Sequence, residues 1–359
     1  MFRRTVLKTS GRGVQAINRE SRQVLAVIAE RESVKGTYLV TGGTGLIGGY
    51  VTKALIERGD DVVVMDVKPP SPPRMAWVMK PVWDKVTFVE GSVSDDFPAL
   101  LKACKDRKVE RVFHAAALFR TDYELSHPYY SFHMTLQGML NICEAARLLD
   151  LRRVVFAGTV GEYIHGTVNY SSEPLVESEP MFDPAMGTQP YSASKMAATI
   201  IGMSYWQTQR VDWLNTRFSR VWGFGSKRET MQTEGLIIEN AVDGIATKLE
   251  RGDEKRGQTY VKDLAKGVLT ALDIDGKKLK HRVFNIGGDT MASDRDAAAI
   301  VKELIPEAKI EIGAGGVSRR PFSTELARRE LGWKPAYTLK EAVKDYMDTY
   351  REYKRDQLE

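Results

Sequence analysis

The sequence predicts an α/β protein, a doubly wound parallel sheet with helices on both faces and a smaller C-terminal lobe. Three observations predict it. From Gly36 onward, short apolar runs rich in β-branched residues alternate with longer helical patterns; the runs are continuously apolar, as in strands buried on both faces; and a glycine-rich turn joins the first run to the first helix.

The elements follow in order. "TYLVTGG" leads into the helix "LIGGYVTKALIERG", which Gly59 closes before the strand "DVVVMD". Then come "VTFVEG", the helix around "FPALLKACKD", the strand "VERVFHAAA", the helix "LQGMLNICEAARLLD" and the strand "RRVVFAGT". Between Val67 and Asp84 the prolines of "KPPSPPRMAWVMKPVW" favour an extended loop. After the helix "YSASKMAATIIGMSYW" and the strand "DWLNTRFSRV", the alternation becomes irregular from about Trp222 and returns at "TYVKDLAKGVLTALD" and "RVFNIGG". The expected organisation is a basic, helical N-terminal arm over residues 1–35, a dinucleotide-binding domain over 36–221 plus about 258–287, and a substrate-binding lobe over about 222–257 plus 288–350.

Composition narrows the function classes. The 359 residues carry a net charge of +5, and the first 35 hold eight basic and three acidic residues, so the remaining body is neutral. A field confined to one arm gives little support for a nucleic-acid or anionic-membrane partner. No apolar run reaches bilayer-spanning length, and "VLAVIA" at 24–29 is too short for a signal-peptide core. In the arm, Val14, Ile17, Val24 and Ile28 fit one helix face, which favours a packed or dimer-contacting helix over a loose extension or a targeting segment. Cys104 and Cys143 lie far apart and are expected as buried thiols in a reducing, cytoplasmic setting. The five histidines show no metal-ligand spacing, so no metal is expected.

"TGGTGLIGG" places Gly42, Gly45 and Gly48 between a strand and a helix. The first glycine permits a tight turn, the second lets backbone N–H groups approach a pyrophosphate, and the third lets the helix pack closely. Leu46 and Ile47 open the helix, whose N-terminus adds partial positive charge. Asp66 ends the next strand, where a carboxylate accepts ribose hydroxyls and repels a 2′-phosphate, so NAD is favoured; Lys68 keeps NADP as a minority option.

"TGGTGLIGG", "VFHAAA", "GMLNICEAA", "YSASK" and "ELGWKP" together resemble, in order and spacing, the extended short-chain dehydrogenase/reductase family, also called the NAD-dependent epimerase/dehydratase family. The resemblance runs from about Gly36 to the C-terminus and is looser after Trp222. It implies a Rossmann fold, NAD as cofactor, a homodimer through the helices at "NICEAARLL" and "YSASKMAATIIGMSYW", and a catalytic trio. The trio matches Thr159 in "TVGEY", then Tyr191 and Lys195 in "YSASK". The same spacing in "YREYK", Tyr350 to Lys354, falls in a charged terminal helix and reads as a chance match on a solvated face. By resemblance, Ser92 and Val93 stand at the adenine position, where the family usually has Asp; Ala115, Ala116 and Ala117 stand below the nicotinamide half, and Phe218 lines its pocket. Tight packing accounts equally for the alanines, and a core role for Phe218.

The chemistry needs such a trio. A free tyrosine is a poor base near neutral pH, and a lysine ammonium with the nicotinamide ring favours its phenolate. Tyr191 then takes the substrate hydroxyl proton, Thr159 orients that oxygen, and Lys195 holds the nicotinamide ribose.

Departures from the family pattern bear on the reaction. Val160 and Gly161 stand where dehydratases carry an acid pair, which disfavours elimination; Glu162 stands one place further on, where the family usually has an apolar residue. Arg220 replaces the Asn that helps hold a substrate diphosphate. Arg220, Arg320 and Thr121 are the candidate substrate contacts, and arginine binds phosphate or carboxylate bidentately. The expectation is therefore an NAD-dependent dehydrogenase acting on a secondary alcohol of a small or sugar-like compound. The alternatives are a nucleotide-sugar epimerase that retains its NAD, and a non-catalytic NAD(P)-sensing module.

Overall fold

The computed structural model describes residues 35–70, 73–117, 125–163, 173–181 and 188–358. The predicted N-terminal arm lies outside these residues, as does Thr121.

Seven strands form one parallel sheet: β1 (Thr37–Thr41), β2 (Asp61–Asp66), β3 (Val86–Glu90), β4 (Arg111–His114), β5 (Arg153–Thr159), β6 (Trp213–Phe218) and β10 (Val283–Ile286), in the spatial order β10-β6-β5-β4-β1-β2-β3. Alternate strand residues feed two cores. Tyr38, Val40, Val62 and Val64 join one, while Leu39, Val63 and Met65 join the other. Each such buried aliphatic side chain contributes roughly 1.5–3 kcal/mol. Helices α1 (Leu46–Arg58) and α7 (Val261–Asp273) cover the first face; α3 (Phe97–Asp106), α4 (Pro128–Leu149) and α5 (Pro190–Gln209) cover the second. Gly59 closes α1 at φ 95°, as the sequence predicts. Cys104 and Cys143 are buried thiols, both pushed up to about 12 by burial.

After β6 the chain leaves the large sheet. A three-stranded sheet joins β7 (Arg220–Trp222), β9 (Arg256–Tyr260) and β11 (Thr290–Ala292), and a two-stranded one joins β8 (Thr247–Leu249) and β12 (Ile310–Ile312). Helices α6 (Thr233–Val242), α8 (Asp294–Leu304) and α9 (Leu339–Asp356) pack around them.

Two local expectations are corrected. The proline segment carries a short helix, α2 (Pro73–Met79), that buries Met75, Val78 and Met79. It starts at Pro73, where a missing N–H costs nothing because a first-turn amide has no intrahelical partner. "YREYK" is solvated only in part: Arg351, Glu352 and Lys354 are exposed, but Tyr350 is not. Tyr350 is buried against Phe224 and Tyr353, and its hydroxyl donates to Asp243 at 2.8 Å while Lys354 pairs with the same carboxylate at 2.5 Å. The segment is part of the face by which α9 docks, which supplies a structural reason for both side chains. Among the described residues no helix is long and apolar enough to cross a membrane.

Candidate active site

The strand order reverses direction between β1 and β4, the place beyond the carboxyl strand ends where open α/β sheets take a ligand. There the glycine turn packs directly against Ala115 and Ala116, which follow β4 with Ala117. Gly42 has φ +68°, and a Cβ there would stand 2.7 Å from the Ala116 nitrogen. A Cβ on Gly48 would overlap the Gly42 carbonyl. Gly45 is the N-cap of α1 and supplies no side-chain cap, which leaves the first-turn amides near Leu46 and Ile47 free of a side-chain acceptor.

Asp66 is fixed from the same turn. Its Oδ2 accepts from Thr44 Oγ1 at 2.6 Å and Thr44 N at 3.1 Å, and its Oδ1 accepts from Val67 N at 2.8 Å. Thr44 was not singled out from the sequence, although it sits inside the motif. Ser92 donates to Asp95 at 2.6 Å, and its backbone N–H donates to Asp96 at 2.7 Å. Val93 is buried, and its carbonyl accepts from Asn141 at 2.8 Å. Below the alanines, His114 shares a 2.7 Å hydrogen bond with Thr41 Oγ1. Burial first, and the Lys195 charge second, lower this imidazole to about 3.

Thr159 ends β5 and caps the short turn that follows. Gly161 N donates to Thr159 Oγ1 at 3.2 Å, so the hydroxyl keeps its own proton for donation. Tyr191 and Lys195 sit on the first turns of α5, which begins at Pro190. Lys195 is buried; its Nζ donates to the Ala157 carbonyl at 2.9 Å, lies 4.5 Å from the Phe156 ring centre and 5.9 Å from that of Tyr191. The end of β5 and the start of α5 thus meet, with Gly161 so close that a Cβ there would stand 2.6 Å from Ser192 Oγ. Phe218 pairs with Thr159 in register and is packed into the core.

The two candidate arginines are both engaged. Arg220 grips the fully buried Glu234 carboxylate at 3.0 Å from each of two nitrogens and reaches Thr233 at 3.2 Å. Arg320 binds Glu179 at 2.7 Å and the Glu173 carbonyl at 2.9 Å. Two residues beyond Phe218, β7 leads into the smaller lobe, where a cavity of about 720 Å³ is lined by Lys248, Arg251, Arg256 and Arg319 together with Glu250, Glu254 and Asp294. Glu254 bridges Arg256 at 2.9 Å and Arg319 at 2.7 Å, and hydrogen bonds from Arg256 hold its carboxyl down at about 2.

The family model described as "NAD dependent epimerase/dehydratase family" matches residues 38–287. The chain belongs to that family. As such it is an NAD-dependent enzyme, and its glycine cradle, open helix N-terminus and fixed Asp66 carboxylate fit the dinucleotide. The chain is 29% identical over 321 residues to a putative UDP-glucose 4-epimerase of Methanocaldococcus jannaschii, covering 85% of this chain and 95% of that protein. It is 27% identical over 339 residues to UDP-glucuronate 4-epimerase 4 of Arabidopsis thaliana, covering 88% and 76%. In fold it is similar to the Thermotoga maritima UDP-glucose 4-epimerase solved with UDP-glucose, with a TM-score of 0.75 at 22% identity over 88% of this chain and 99% of that one.

Proposed function

We propose that this chain is a nucleotide-sugar epimerase that inverts a secondary alcohol carbon and retains its NAD. The observation that carries the reading is the pair Arg256 and Arg319 in the cavity wall, which converge on the Glu254 carboxylate 2.9 and 2.7 Å away, a fork that suits a diphosphate. The names of the relatives favour the same substrate class. This reorders the expectation from sequence, in which a dehydrogenase came first.

In this reading the smaller lobe holds the nucleotide, and the sugar reaches the junction of β5 and α5. Tyr191 takes the proton from the sugar hydroxyl and later returns it to the same oxygen. Thr159 donates its hydroxyl proton to that oxygen and orients it, and Lys195 brings positive charge against Tyr191 and holds the cofactor ribose. Bound NAD supplies reversible hydride acceptance. The small side chains of Ala115, Ala116 and Ala117 leave room for the nicotinamide half above the sheet.

The test is incubation with UDP-glucose, UDP-glucuronate and their C4 epimers, followed by NMR of the anomeric protons. An approach to the same equilibrium from both sides, with NAD recovered from the denatured enzyme, is the expected result. Release of NADH into solution with a simple alcohol, and no epimerisation, would replace the reading with a dehydrogenase. One observation favours that second reading: Glu250, Glu254 and Asp294 offset most of the positive charge lining the cavity, which suits a substrate of lower charge.

The proposed assembly is a homodimer through α4 and α5. Leu140, Leu148 and Ile200 are exposed on these helices, an apolar surface suited to a second copy. Light scattering that returned a monomer mass would remove this part of the reading.

A further inference from the structure

Beneath the proposed reaction centre lies a buried polar cluster that the reaction itself does not use. The Glu162 side chain is fully enclosed, and its two oxygens bind three elements. Oε1 accepts from the Thr159 backbone N–H at 2.9 Å, at the end of β5. Oε2 accepts from Thr199 Oγ1 at 2.9 Å on α5, and from Asn215 Nδ2 at 2.8 Å and Arg217 Nε at 2.9 Å on β6. Thr199 lies one helical turn after Lys195 and so shares its face of α5. Gly158 makes room for the cluster, since a Cβ there would stand 2.5 Å from Glu162 Oε1.

We propose that Glu162 is a positioning residue, which holds the Thr159 hydroxyl in register with Tyr191 and Lys195 by tying the end of β5 to α5 through Thr199. The inference rests on the reading of Thr159 as the group that orients the substrate oxygen. A side chain that only filled space at this position would leave the Thr159 amide, the Thr199 hydroxyl and the Arg217 guanidinium without their shared acceptor. Arg217, itself buried and stacked 4.4 Å from the Tyr163 ring centre, supplies the countercharge that lets a carboxylate sit there. The turn between them is short: Thr159 caps it, Glu162 closes it from the third position, and Gly161 rests against Ser192, the neighbour of Tyr191. The carboxylate therefore ties the strand end that carries the proposed hydroxyl donor to the helix that carries the proposed base.

The test combines structure and kinetics. Crystal structures of wild type, Glu162→Gln and Thr199→Val, each with NAD, are compared at the β5–α5 junction. The proposal expects the Thr159 hydroxyl to move relative to Tyr191 in both variants with the sheet unchanged; an unmoved hydroxyl overturns it whatever the substrate. In kinetics with UDP-glucose, each variant is expected to lose about 10- to 100-fold in kcat with KM nearly constant, the scale of small misplacements at a reacting centre. In a Thr159→Ala background the same substitutions are expected to add almost nothing. Full additivity in that cycle would show that Glu162 acts elsewhere and sink the proposal. A Thr159→Ala enzyme with wild-type kcat would instead remove the reading of Thr159, leaving the crystal comparison to judge the tether. Thr199→Val preserves the Glu162–Arg217 pair, so the question stays answerable even where Glu162→Gln does not fold.

Discussion

Lys195 donates its ammonium proton to the carbonyl of Ala157 at 2.9 Å, one strand residue pair below Thr159. That bond draws the cation under the sheet edge and holds it against the Phe156 ring. A buried ammonium is costly unless it serves something, and a flexible apolar side chain of similar length fits the same channel. Lys195→Met is expected to lower kcat by about 100-fold or more. Its thermal midpoint is expected to be no lower than wild type; a matching loss of stability would mean that the lysine is there for the fold.

Asp66 receives both the hydroxyl and the amide of Thr44, so its carboxylate is aimed before any cofactor arrives. Asp66→Asn keeps the shape and removes the charge. Hydrogen bonds to a charged group contribute about 1.5–3 kcal/mol, so NAD affinity by calorimetry is expected to fall about tenfold or more. NADP affinity is expected to rise relative to NAD, because the repulsion of a 2′-phosphate is gone. An unchanged preference would place the adenosine ribose elsewhere.

His114 gives the fold a pH dependence with a definite sign. Its imidazole is lowered from 6.5 to about 3, by burial first and then by Lys195. The unfolded chain takes up a proton below pH 6.5 that the folded chain refuses until about pH 3. This contribution is therefore complete above pH 6.5 and is lost as pH falls toward 3, by up to about 1.4 kcal/mol per pH unit. Urea unfolding across that range is expected to show a shallower acid loss in His114→Asn than in wild type. Identical slopes would show that the imidazole does charge within the fold.

The sheet and the glycine turn were legible in the sequence because their signals are local. Gly42, Gly45, Gly48 and Asp66 are strung along one strand-turn-helix-strand unit, and the α1 terminus at Gly59 needs only its left-handed backbone. What was illegible depends on partners far along the chain. Glu162 stood out as a polar residue in an apolar place, but Thr199, Asn215 and Arg217, which give it meaning, lie 37, 53 and 55 positions away. Tyr350 looked solvated because its acceptor, Asp243, is more than a hundred residues distant. Thr159, Tyr191 and Lys195 were found by family resemblance rather than by periodicity, and the structure brings the elements carrying them together.

Arg220 illustrates the same limit and offers the last test. From sequence it was a free cation awaiting an anionic substrate. In the fold its fork closes on Glu234, a carboxylate with no solvent exposure, and also reaches Thr233 at the cavity wall. Removing one partner of such a pair strands the other charge in the protein interior, at a cost of about 3–5 kcal/mol. Arg220→Met is thus expected to lower the thermal midpoint markedly, and Arg220→Met combined with Glu234→Gln to recover most of that loss, because no charge is then stranded. A direct substrate contact predicts the opposite pattern: Arg220→Met would raise KM with little change in stability, and the second substitution would restore nothing. Midpoints and KM values of the two variants, measured side by side, distinguish a strut behind the cavity wall from a ligand inside it.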